Sequence, residues 1–198
     1  MISKRSGLVL MAALLVAFGS VALVARSTVS TAAADSAEQK LNQILVDSPN
    51  LPATTRFTED EVNSYLYYNT QLPRGVSKLN VSFLPGTVSG SAEVNFDSLT
   101  ASSPADESPS MLGYLLRGSH TIASEGSLSA ANGVARFELR SASIDDIPLP
   151  RPLVDFLIDS YLKRRFPGLD IDSPFRLPPT VDSVRIGQGN VDVNTKHH

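Results

Sequence analysis

Alternation constrains this chain more than any other feature. Over residues 77–96, Leu79, Val81 and Phe83 alternate with polar residues, Pro85, Gly86 and Thr87 turn the chain, and Val88, Ala92, Val94 and Phe96 alternate on the way back. A period of two puts one set of side chains on one face of a sheet. The stretch therefore predicts a hairpin with one buried face. A second hairpin follows, joined at Ala131, Asn132 and Gly133, where an Asn-Gly pair favours a tight turn. Ala135, Phe137 and Leu139 should face in, and Arg136, Glu138 and Arg140 out. A third hairpin carries Val184, Ile186, Val191 and Val193 around a Gly-Gln-Gly-Asn turn.

Helical periods lie before and between these strands. Residues 35–47 can form a short helix with Leu41, Ile44 and Leu45 on one side. Residues 57–69 predict a second, with Thr58 as N-cap and Glu61 three residues on, a capping box. Its inward side should be Val62, Tyr65, Leu66 and Asn69. A third helix follows Pro152 and ends at Pro167 and Gly168. At about 100° per residue, Leu153, Val154, Leu157, Ile158, Tyr161 and Leu162 fill roughly half its circumference. A surface helix needs an apolar stripe of little more than about 100°. The excess is either sunk in the protein's own core or faces a second layer, a membrane or an apolar ligand. Long antiparallel strands with helices before and between them make an α+β pattern.

The N-terminus predicts export. Lys4 and Arg5 precede an uncharged apolar run over residues 7–25. That run is close to the roughly 20 residues that span a bilayer, and its positive flank should stay cytoplasmic. Two readings stay open: a signal peptide cut after Ala34, or a retained membrane anchor. Either way the remainder is extracytoplasmic, periplasmic or tethered to the cytoplasmic membrane. The expected organisation is anchor or signal peptide plus linker over 1–34, a short helix and linker over 35–56, the main α+β domain over 57–194, and a tail over 195–198. Residues 97–111, rich in Ser, Pro and acids, predict a mobile loop.

Catalytic signals are poor. The chain has no cysteine, which excludes disulfides, thiolate metal sites, a Cys nucleophile and a lipoprotein anchor. The net charge of −3 argues against nucleic acid as a partner. His120 is isolated from His197 and His198 and reads as structural. Ser160 and Lys163 match an S-x-x-K spacing but lack its companion motifs. Asp145 with Asp146, and Asp170 with Asp172, read as solvated turns rather than a cation site. The basic residues 163–165 suit a helix C-terminus, or contact with anionic lipid headgroups. Asn80 opens a glycosylation sequon, relevant only in a eukaryotic secretory host. No enzyme, cofactor or metal is expected.

The last third carries a resemblance. G-x-A-x-F-x-L over 133–139, I-P-L-P over 147–150, and F-x-L-P-P-x-V-x-S-V-x-I-x-x-G-x-V-x-V over 175–193 resemble small exported bacterial relatives of the tubular lipid-binding (TULIP) superfamily. These are of the lipomannan-elongation-factor and YceB types. The order of elements agrees from about residue 57 onward. The chain departs from them in lacking a lipobox cysteine and in its acidic loop. The resemblance implies a long curved antiparallel sheet wrapped around a long helix, a TULIP-like half barrel, with an apolar groove for acyl chains. Its implied lining is Val154, Ile158, Tyr161 and Leu162 from the helix and Phe83, Phe96 and Phe137 from the strands. The expected function is a non-enzymatic lipid or amphiphile carrier or chaperone of the cell envelope, held at the membrane by its N-terminal helix. The alternative is a membrane-anchored assembly module with a filled core, docking another envelope protein.

Overall fold

The computed structural model describes residues 28–46, 51–100, 117–159 and 173–196. Helix α1 is Thr31–Leu45. Ser30 caps it from an extended backbone, its Oγ accepting from the Ala33 N–H. No β-branched residue interrupts the run from Ala32 to Gln43, which favours helix. Strand β1, Thr54–Thr58, leads into helix α2, Glu59–Asn69. The expected capping box is formed, with Thr58 and Glu61 satisfying each other's backbone N–H groups. Glu59, Asp60 and Glu61 fill the first turn, where the helix dipole favours anions.

The chain then becomes mostly strand: β2 (Val76–Leu84), β3 (Thr87–Asn95), a short helix α3 (Phe96–Thr100), β4 (Ser119–Ala131), β5 (Val134–Ile144), β6 (Ile147–Pro148), helix α4 (Arg151–Leu157), β7 (Phe175–Arg176), β8 (Val181–Ile186) and β9 (Asn190–Thr195). All pair antiparallel in one sheet of nine strands, ordered β1-β9-β8-β4-β3-β2. Strand β5 lies on the other edge of β4 and carries β6 and β7. The fold is thus α+β around a large antiparallel sheet. Asn132 and Gly133, both at positive φ, make the expected turn between β4 and β5.

Strand β4 organises the sheet. One edge pairs with β3 from Ser119 to Ser127 and then meets β8 at Ala130, opposite Val184. The β2–β3 and β8–β9 hairpins are joined again at their turns, where Gly86 N–H donates to the Ile186 carbonyl and Gly189 N–H to the Phe83 carbonyl. Helix α2 runs from β1 to β2 and closes the remaining gap. Buried Asn63 reaches the outer edge of β2: its Nδ2 donates to the Val81 carbonyl at 2.7 Å and its Oδ1 accepts from the Val81 N–H at 2.7 Å. Glu59 Oε2 accepts from the Phe83 N–H at 3.0 Å. An edge that would otherwise recruit another strand is paired by side chains instead.

The main core lies under α1, α2 and this closure. It includes Ile44, Phe57, Leu66, Val81, Phe83, Val88, Phe137, Val181 and Val193. A smaller cluster of Ala92, Val94 and Phe96 sits at the far end of β3, with Val76, Leu79 and Ile122 packed on it.

Four expectations need correction. Residues 31–34 are the first turn of α1 rather than linker, and Ala34 is only 1 % exposed beneath it. Residues 54–58 form an edge strand, which delays the second helix to Glu59. Asn69 faces out and donates to Glu38 Oε2, while Asn63 and Ser64 take the buried positions. The short helix and β1 are not separate from the main domain, because Ile44 and Phe57 share its core. Only 97–100 of the expected acidic loop is described, and it lies in helix α3.

Candidate functional site

The inner face of the β2–β5 sheet follows from the register. Val81 lies opposite Gly90, Gly90 opposite Ser124, and Ser124 opposite Ala142. These four make one row across four strands. On one side stand Phe83, Val88, Gly126 and Leu139, also in register. On the other stand Ala92, Ile122 and Ile144. The centre of the row, with no side chain longer than a hydroxymethyl at Gly90, Ser124 and Ala142, therefore separates the two apolar clusters. This trough of short side chains between two ridges is itself covered, since Val81, Gly90 and Ser124 are buried.

Glycine is required at 126 on the first ridge. A Cβ there would lie 2.2 Å from Phe137 Cζ and 2.7 Å from the Glu138 carbonyl oxygen. The Phe137 ring occupies the space of the missing side chain and caps that end of the ridge.

The sequence-predicted lining divides. Phe83 and Phe137 are fully buried in the main core, and Phe96 is buried in the smaller cluster. Val154 is buried on α4, while Ile158 is half-buried against the main core. Pro152 sits in the first turn of α4 as expected. Tyr161 and Leu162 lie outside the described residues, as do Ser160, Lys163, the basic residues 163–165, Asp170, Asp172 and the apolar run 7–25. Residues missed by sequence reasoning are Ser124, Gly90 and Ala142. Each belongs to an ordinary alternating strand, and only the register assembles them.

Ser124 is the polar exception on this face. It is 5 % exposed, and its Oγ has no hydrogen-bond partner. Thr55 Oγ1 is likewise buried and unpaired, but in the edge strand β1.

The remaining polar clusters have structural roles. Glu61 joins α1 to α2: its carboxylate accepts from Ser36 Oγ at 2.6 Å and from Lys40 Nζ at 2.6 and 2.8 Å. Burial pushes this carboxyl up, but the bonds from Lys40, Ser36 and the Thr58 N–H outweigh it and leave it below the usual range. Asp145 and Asp146 form the β5–β6 turn, both at positive φ. Asp145 Oδ2 lies 2.6 Å from His120 Nδ1, and its Oδ1 accepts from the Thr121 N–H. His120 Nε2 lies 2.9 Å from the Arg117 carbonyl oxygen.

Both ring nitrogens of His120 thus face acceptors, which suits the imidazolium. The bond to Asp145 raises its pKa, with Asp97 adding a smaller push in the same direction. A raised histidine stabilises the fold fully below its unfolded pKa of about 6.5. That contribution disappears as pH climbs through the folded value. The melting temperature should therefore fall as pH is raised above about 6.5, and His120→Gln should flatten that part of the profile. An unchanged slope in the variant would show that the pair does not tie the turn to β4.

Among the described residues, no three His, Cys, Asp or Glu side chains gather as a metal site, and no helix is long and apolar enough to cross a membrane. No family model, curated protein or solved structure matches the chain.

Proposed function

We propose that this is an exported envelope protein that binds a lipid or other amphiphile along the inner face of its curved sheet, as a carrier or chaperone without catalysis. In this reading the sheet wraps part-way around the helix that begins at α4, in the TULIP-like manner. The supporting observation is that part of this apolar face stays partly exposed beside its buried members. Ile122, Leu128 and Leu139 on the sheet and Leu153, Leu157 and Ile158 on and just after α4 are half-buried, whereas the core residues Phe83 and Leu66 are shut from solvent. Each CH₂ removed from water contributes about 0.8 kcal/mol. A chain of about ten methylenes on such a face would bind well with little polar specificity.

The N-terminal contacts support a retained anchor. Thr28 N–H donates to Asp60 Oδ1 at 2.9 Å and Ser30 N–H to Ser64 Oγ at 3.1 Å. Cleavage after Ala34 would remove both bonds, the helix cap and a buried alanine. The domain would then be held directly at the membrane from which it draws its ligand.

The full chain, extracted from membranes in mild detergent, should carry a bound lipid in native mass spectrometry. A lipid-free protein that also takes up no added phospholipid would overturn the reading. That result would favour the assembly module with a filled core, for which the exposed edge-to-face pair Tyr67 and Tyr68 offers a docking surface.

A further inference from the structure

We infer that the domain meets the membrane end-on, through the β2–β3 turn, with Leu84 and Pro85 on the lipid surface that holds the N-terminal apolar run. The inference rests on the retained anchor of the reading above, and not on any ligand of the inner face. Only Arg26 and Ser27 separate Ala25, the last residue of that run, from Thr28. Three residue steps reach at most about 10 Å. Thr28 and Ser30 are themselves bonded to Asp60 and Ser64, so little slack remains between the bilayer and the first two turns of α2. The end of the domain that carries Asp60 is therefore the end at the lipid.

Hydrogen bonds fix what else lies at that end. Beside Asp60, the Glu59 N–H donates to the Gly189 carbonyl and the Glu59 carboxylate accepts from the Phe83 N–H. Gly189 N–H donates in turn to the Phe83 carbonyl, and Gly86 N–H to the Ile186 carbonyl. The β2–β3 and β8–β9 turns thus stand next to the start of α2. Their surface is uncharged: no Asp, Glu, Lys or Arg occurs over 79–92 or 186–191. Leu84 is 41 % exposed and Val29 42 %, and Pro85 and Gly86 complete an exposed tip. A Cβ at Gly86 or Gly189 would meet nothing within 4 Å, so both turns face open space. The hairpin's charged residues, Lys78 and Glu93, pair with each other at the opposite end of β2 and β3. Glu59 and Asp60 turn their carboxylates to the Phe83 and Thr28 N–H groups. An exposed leucine and proline tethered this close to a bilayer find apolar cover there that water does not give. The contact is apolar, so it needs neither anionic headgroups nor low salt.

The absence of cysteine allows a single reporter to be placed at either end of the sheet. Pro85→Cys carries an environment-sensitive fluorophore at the tip. Ile147→Cys, at a position 68 % exposed, carries it on the β5–β6 turn. That turn is bonded to Thr121, opposite Glu93, and the length of β3 places it about 20 Å from the tip. The labelled full chains are reconstituted in phosphatidylcholine vesicles, with and without a spin-labelled lipid as quencher. The tip label should shift its emission to the blue and lose most of it to the quencher, in low and high salt alike. The far label should do neither. Leu84→Glu, added to the tip-labelled chain, should remove most of that quenching while the chain still floats with the vesicles. A tip label that stays in water on a floating chain, equal quenching of both labels, or quenching unchanged by Leu84→Glu would overturn the inference and leave the anchor intact. A full chain that does not float with vesicles would overturn the anchor and this inference together.

Discussion

Replacing Asn63 by leucine is expected to destabilise the fold by about 2–5 kcal/mol, more than its position on a polar-looking stretch of helix would imply. Asn63 is 1 % exposed and makes three hydrogen bonds, to the Glu59 carbonyl and to both backbone groups of Val81. Leucine is close in size, so packing is largely kept. The change strands the N–H and C=O of Val81, itself 1 % exposed. Each buried backbone group left unpaired costs about 1–3 kcal/mol. The damage would spread along the edge, because Glu59 pairs Phe83 on the same side of β2 and Gly189 is bonded to the Phe83 carbonyl. Chemical denaturation of Asn63→Leu against wild type measures the effect. A loss under about 0.5 kcal/mol, the scale of an ordinary surface change, would mean that water reaches this edge and that α2 does not close the sheet.

Asn63 also marks the limit of what the sequence discloses. Val62 and Leu66 are found by helical periodicity, and Thr58 with Glu61 by the capping pattern, because those signals are local. A buried asparagine is a polar letter in an apolar position. Its reason for being there is the edge of a strand 18 residues away, and nothing in the helix announces that edge. Strand β1 is hidden in the same way. Its five residues are stabilised by β9, with Phe57 opposite Val191, across most of the chain length. Helix α1 is concealed by composition. The Ser, Thr and Ala residues before Ala34 suit a linker or a processing site, and only the packing of Ala34 and Ala37 beneath the helix reveals a fold.

The hairpins were legible because alternation is both local and strong. Val81, Phe83, Val88, Ala92 and Val94 are all buried, as a period of two requires. The site they form was legible only in outline. Apolar residues on the inner face can be read strand by strand, but the row Val81, Gly90, Ser124 and Ala142 exists only once three registers are fixed. Strand β2 shifts register between Ser77 and Asn80, and the β4–β5 pair shifts at Glu125 and Gly126. A bulge slides one strand against the next, so counting residues from a turn misplaces everything beyond it. Ser124 is then one more serine in a strand that contains several.

The inner face should sort its residues into two energetic classes, and Ile122 is the sharpest case. Phe83 is enclosed by the main core, so Phe83→Ala should open a cavity and cost about 3–5 kcal/mol. Ile122 is half-buried, packed on the smaller cluster from the side of the trough. If that side is a binding surface, Ile122→Ala loses little beyond the transfer energy of the removed methylenes, about 1–2 kcal/mol. Ile122→Asp carries the stronger test. A carboxylate on an open apolar wall stays hydrated in the empty protein, so the fold should survive. A bound acyl chain would strip that water from it, and burying an unpaired charge costs more than the chain contacts return. Lipid adducts on the full chain should therefore fall by at least about tenfold, the effect of some 1.4 kcal/mol. Ile158→Asp should act alike from the helix side, since Ile158 is also half-buried. The contrary outcome is equally specific. If Ile122→Ala costs as much as Phe83→Ala and neither aspartate variant folds, then the face is sealed by the protein itself. The short side chains of the trough would in that case serve close packing, and a lipid would have nowhere to lie.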